Sequence, residues 1–265
     1  MPFGVLPSEA SYAGIRSQEH FLEIFNEVSS ESAAIIANNI DYGAAKTRLE
    51  KYIFKNHLLM DTYSEERANG LFEIMAANNT WHTPTLSMWQ KNAWFETEIK
   101  EDTALYKYLP PYMRRYWQIG ENDHLNNRTP KLIALKQRQV TFYKKMLKGM
   151  YEAGVPLLTG TDMGANPLCF PGIGVHNELE AFVEAGIPTA VALKAATINP
   201  CEYLEIDDDF GSVEAGRIAD LVILSGNPLE EISAVRAVDA VVRKGYLYSK
   251  DDIDQILTKI EESFK

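Results

Sequence analysis

The feature that most constrains this chain is a carboxylate set just beyond a short apolar strand. Residues 155–159 form an apolar run suited to a buried strand, and Gly160-Thr161-Asp162-Met163-Gly164 follows at once, its glycines letting the backbone turn sharply. Residues 132–151 precede it as an amphipathic helix, with Leu132, Leu135, Gln139, Tyr143, Met146, Leu147 and Met150 on one face and Gly154 as the stop. Helices over 175–185 and 189–196 follow, before the break at Asn199-Pro200. This helix, strand, helix order predicts an α/β architecture with Asp162 where α/β barrels keep their chemistry, at the C-terminal end of a strand.

The same rhythm runs upstream. Ser8-Glu9-Ala10 starts a short helix that stops at Gly14, residues 15–20 are extended, and helical spacing resumes from Phe21 and continues through 29–52. Ser64 caps a further helix carrying Leu71, Ile74 and Met75, which ends at Asn78-Asn79. Residues 80–86 read as a strand whose end is marked by Pro84. Residues 89–130 are a long aromatic-rich excursion, the length of a lid or binding loop. The last sixty residues change character: 211–216, 219–224, 238–243 and 246–248 read as short strands joined by turns, and 249–265 as a charged helix.

With 265 residues, 46% of them apolar, the chain can bury a substantial core. Its longest apolar runs, such as 221–224 and 238–242, fall far short of the roughly 20 residues a membrane-spanning helix needs. Met1-Pro2-Phe3-Gly4 does not open a signal peptide, so the default expectation is a cytoplasmic protein, although an upstream start would hide an export signal. Cys169 and Cys201 are expected to be free thiols. A net charge of −11 disfavours a nucleic-acid partner, which requires clustered basic residues, and favours small-molecule substrates.

Three segments carry a family resemblance: VPLLTGTDMG from Val155, VHNELEAFVEAGIPTAVALKAATINPCEYL from Val175, and FGSVEAGRIADLVILSGNPLEEI from Phe210. Together they resemble the C-terminal region of the amidohydrolase superfamily, closest to its imidazolonepropionase-like and prolidase-like members. Ala13-Gly14-Ile15-Arg16-Ser17-Gln18-Glu19-His20 is similar to that family's sixth barrel strand, and residues 80–86 to its seventh. The resemblance implies a partial (β/α)8 TIM barrel made of strands six to eight, with a remnant of the composite β-sandwich at the C-terminus. Residues 1–204 would form the barrel portion, including a lid insertion at about 89–130; residues 205–248 would be the sandwich remnant and 249–265 a terminal helix. The family's His-x-His, bridging lysine or carboxylate and strand-five histidine have no counterpart here. The expectation is therefore a chain that starts after strand five.

That resemblance also implies a reaction: hydrolysis of amide, peptide or cyclic amide C–N bonds by a metal-activated water, with one or two divalent ions, most often zinc. His20 would be a metal ligand; Asp162 would be both metal ligand and the group that takes the water's proton. Two ligands fall short of the three that catalytic zinc normally takes, so this chain alone is expected to be inactive, either as part of a longer hydrolase or as a non-catalytic, association-only fragment. His82 and His176 could touch substrate or simply pack, whereas His57 and His124 are ordinary polar positions. Arg114 and Arg115 in the lid could grip a substrate carboxylate. Glu178 and Glu180, two apart on one helix, read as solvated. Open sheet edges beside strands six and eight predict either a homo-oligomer, a missing N-terminal half, or poor solubility.

Overall fold

The computed structural model describes residues 4–21, 23–37, 48–117, 128–164 and 166–264. Helix α1 (Pro7–Tyr12) leads through Gly14, φ +83°, into β1 (Ser17–Glu19), which pairs in parallel with β2 (Trp81–Thr83) in the register Ser17↔Trp81, Gln18↔His82, Glu19↔Thr83. On the other flank of β2 lies the 155–159 segment, also parallel. The His82 amide donates to Pro156 O and the Leu158 amide to His82 O, both at 2.9 Å, with Leu157 bridged to His82. The expected strand over 155–159 is thus a single bridge held by two hydrogen bonds. It completes a three-ribbon parallel sheet in which β2 is central.

The outer edge of the 155–159 segment is not open as expected. Its Thr159 amide donates to Ala195 O at 3.0 Å and Asn199 Nδ2 donates to Leu157 O at 2.8 Å, so the helical layer satisfies those groups. On β1, the outward-facing backbone groups of Ser17 and Glu19 have no backbone partner among the described residues.

Between β1 and β2 the chain forms α2 (Ile24–Val28), α3 (Ser32–Ala37), α4 (Arg48–Asp61) and α5 (Glu65–Ala77). Of the helical span expected over 29–52, residues 32–37 and 48–52 are helical and 38–47 lie outside the described residues, while Ser29 itself turns extended and bridges to Tyr63. Ser64 caps α5 as expected, accepting from the Arg67 amide at 3.3 Å.

β2 ends at Thr83, sooner than the 80–86 reading, and Leu86 already belongs to α6 (Leu86–Ala93). Pro84 has no N–H to continue the ladder, and Thr85 turns left-handed at φ 49°. The new helix is capped from outside: Glu178 accepts from the Leu86 amide at 2.8 Å and the Ser87 amide at 2.7 Å. Glu178 is fully buried, which corrects the solvated reading; its neighbours on the helix say nothing about a partner 91 and 92 residues away in sequence.

The excursion folds into α7 (Phe95–Glu101), a 3-10 turn (Asp102–Tyr108) and α8 (Pro111–Tyr116). Part of the lid segment, with His124, lies outside the described residues. Phe95, Leu109 and Trp117 pack on Leu168 and Phe170, so the excursion rests on the loop that follows Asp162. Helix α9 (Pro130–Glu152) buries the expected face, and α10 (Ile173–Glu184), α11 (Thr189–Ala196) and α12 (Ile198–Leu204) follow. Phe21 sits at the centre of the core, stacked on Tyr143 at 4.2 Å and 4.9 Å from the His82 ring. No helix among the described residues is long and apolar enough to cross a membrane.

The C-terminal region is an antiparallel sheet of β3 (Leu221–Leu224), β4 (Val238–Arg243) and β5 (Tyr246–Ser249), followed by α13 (Lys250–Ser263), which Ser249 and Asp252 cap reciprocally. Residues 211–216 are not a strand, because Gly211 and Gly216 adopt φ +95° and +97° and turn the chain. Val222, Tyr246 and Leu247 are 59%, 74% and 63% exposed, an apolar surface on this sheet. Both cysteines are free thiols.

Candidate active site

Just past each of the three parallel ribbons a non-glycine residue turns left-handed: His20 at φ 61°, Thr85 at φ 49° and Asp162 at φ 45°. Such backbone states are uncommon for any side chain and a genuine outlier for a β-branched one, each costing about 1–3 kcal/mol unless the surroundings impose it. Packing brings the ribbons close enough to do so. A Cβ at position 160 would lie 2.4 Å from Thr83 Cγ2, so only glycine lets the Asp162 turn pass this near β2.

His20 Nδ1 lies 2.6 Å from Thr85 Oγ1, and Thr85 Oγ1 donates to Pro84 O at 2.7 Å. A hydroxyl has one proton. With that proton given to Pro84, Thr85 can only accept from His20, which places the ring proton on Nδ1 and leaves the Nε2 lone pair bare. His20 Nε2 points toward Asp162, 3.9 Å from Oδ2, and the same Oδ2 accepts from Asn166 Nδ2 at 2.8 Å. Burial holds the His20 imidazole below its ordinary pKa, against the opposing pull of the Asp162 and Glu19 carboxylates. Thr85 thus holds the ring with its Nε2 lone pair open beside the Asp162 carboxylate.

That pair has the donor chemistry for zinc, but catalytic zinc takes three protein ligands. Among the described residues no group of three or more His, Cys, Asp or Glu side chains is arranged to hold a metal. The two donors alone do not fit a resident catalytic ion.

The other candidate residues make no described hydrogen bond or ion pair to His20 or Asp162. His82 is fully buried, neither ring nitrogen has a hydrogen-bond partner, and burial together with the charge of nearby His20 pushes its pKa down to about 3. His176 opens α10 with Nδ1 buried and unpartnered; burial and then Arg236 lower its pKa. The Arg114 guanidinium donates from Nε to Leu109 O at 2.7 Å and from Nη2 to Lys107 O and Phe264 O at 3.3 Å, so these two nitrogens are engaged by backbone. Arg115 is exposed on α8. Thr85 and Asn166 escaped the sequence reading. Nothing in a lone Thr or Asn marks it in the sequence.

Residues 120–247 match the model of the amidohydrolase family. That stretch is an amidohydrolase-family domain. Among curated relatives, the chain is 32% identical over 111 residues to an adenine deaminase of Jannaschia sp., covering 40% of this chain and 18% of the relative. It is 41% identical over 64 residues to an imidazolonepropionase of Thermoplasma acidophilum, covering 23% and 16%. Its fold is that of the bottromycin amidohydrolase, with a TM-score of 0.70 at 20% identity over 99% of this chain and 52% of that one. These 265 residues thus match about half of that solved chain and less than a fifth of either curated relative.

Proposed function

We propose that this amidohydrolase-superfamily chain carries one side of a hydrolytic active site for amide or cyclic C–N bonds, with His20 and Asp162 as its working pair. In this reading the three parallel ribbons are strands six to eight of a (β/α)8 barrel. The observation that carries it is the convergence of His20 Nε2 and Asp162 Oδ2 from two strand ends, with Thr85 fixing the imidazole tautomer. His20 offers a neutral nitrogen donor and Asp162 a carboxylate able to accept a proton from water. A zinc ion is part of the reading only where a further ligand completes the pair, from a longer polypeptide or a partner chain. Small substrates fit the relatives, whose names point to adenine and imidazolone propionate.

A second reading, association without turnover, is favoured by the two-donor count. Metal analysis of the purified chain, alone and in its native longer or partnered form, separates the two. Stoichiometric zinc together with hydrolysis of a cyclic amide, dipeptide or aminopurine, both lost in Asp162→Asn and His20→Ala, supports the hydrolase. Metal-free and inactive protein in every form sinks it.

A further inference from the structure

We propose that Glu178 is a positioning residue for His20, acting through the first turn of α6 and Thr85; this rests on reading His20 as a donor. Glu178 lies on α10 and has no contact with His20. Its two carboxylate oxygens are each occupied by one amide, Leu86 N–H on Oε1 at 2.8 Å and Ser87 N–H on Oε2 at 2.7 Å. This bidentate grip fixes both the position and the rotation of the α6 N-terminus. The residue immediately before that grip is Thr85, 4% exposed and held at φ 49°, ψ 44°.

A threonine stays in this backbone region only where the chain is clamped on both sides of it. On the N-terminal side the clamp is β2 with Pro84; on the C-terminal side, among the described residues, it is Glu178 that bonds the first two α6 amides. If Thr85 rotates, Oγ1 leaves its place between His20 Nδ1 and Pro84 O, and the preference for the Nδ1-protonated tautomer goes with it. Placing a carboxylate in full burial is costly unless it is hydrogen-bonded, and here both bonds are spent on this one turn.

The test is the ring spectrum of His20 in the 15N-labelled chain, since two-bond proton–nitrogen correlations report which nitrogen carries the proton. Wild type should show a single Nδ1-protonated form. Thr85→Val, which removes the acceptor, should abolish that preference, and Thr85→Ser should retain it. Glu178→Ala should likewise lose the single Nδ1-protonated signal, with circular dichroism confirming the fold. Should Glu178→Ala not fold, Glu178→Gln serves: its amide can accept only one of the two N–H groups, and the Nδ1 signal should weaken. An unchanged His20 spectrum in a folded Glu178 variant, alongside an altered one in Thr85→Val, overturns the proposal. An Nε2-protonated wild type would instead overturn the donor reading on which it rests.

Discussion

His20 Nε2 and Asp162 Oδ2 stand 3.9 Å apart although they follow ribbons that are not neighbours, with β2 lying between β1 and the 155–159 segment. The pair is therefore assembled by curvature of the sheet and by the turns that follow it. Because the Asp162 carboxylate raises the His20 pKa while burial lowers it, Asp162→Asn should move the His20 titration midpoint further down. Proton NMR titration of the ring reads this directly; a midpoint that rises or stays put would separate the two groups.

The Asp162 turn depends on the bare face of Gly160. Gly160→Ala places a methyl 2.4 Å from Thr83 Cγ2, and the ribbons must part to accept it. We expect a loss of about 1–3 kcal/mol, the usual cost of overpacking, in urea or thermal unfolding. Gly164→Ala, with no atom within 4 Å of the new Cβ but φ +103°, separates backbone strain from steric contact in the same turn.

Much of this fold was legible from spacing. The α9 face, the Ser64 cap and the Asp162 turn all rest on local periodicity or local stereochemistry, which a sequence displays. The contacts that define the site were not, because they are long-range: Thr85 meets His20 across 65 residues, and Glu178 meets Leu86 across 92. The early end of β2 was hidden for the same reason, since the carboxylate that caps α6 comes from α10. The extended turn at Ser29 was hidden by the helical spacing on either side of it.

Burial raises the Glu178 pKa from 4.5 to about 7, against the two amides and the Ser87 side chain, which favour the ionised form. An acid with a raised folded-state pKa holds its proton in the folded chain after the unfolded chain has lost it. Its contribution therefore favours folding most below pH 4.5, declines as pH rises from 4.5 to about 7, and is flat above. The change across that window is up to about 3 kcal/mol. Urea unfolding from pH 4.5 to 8 should show this slope in wild type and lose it in Glu178→Gln; parallel profiles would remove Glu178 as its source.

Phe21 seals His82 from water while stacking on Tyr143. Phe21→Ala should cost about 3–5 kcal/mol, in line with emptying a buried aromatic site. It should also raise the His82 pKa from about 3 toward its ordinary value, because burial is the leading cause of the depression. Paired unfolding and NMR titration check both parts.

Arg114 on α8 ties the 89–130 excursion to the end of α13 through Phe264 O. Arg114→Ala should destabilise this corner by about 1–2 kcal/mol as three carbonyls lose a charged donor. Hydrogen exchange should quicken across 105–117 and 260–264, and hardly at all in α9.

The three left-handed strand ends also set a hazard for anyone engineering this chain. Glycine at positions 20, 85 or 162 would relieve the backbone at each turn, so a selection that scores only melting temperature would be drawn toward those changes. Each would remove the imidazole, the hydroxyl or the carboxylate that the turn exists to present, and the hardiest variants would be the ones with least chemistry left.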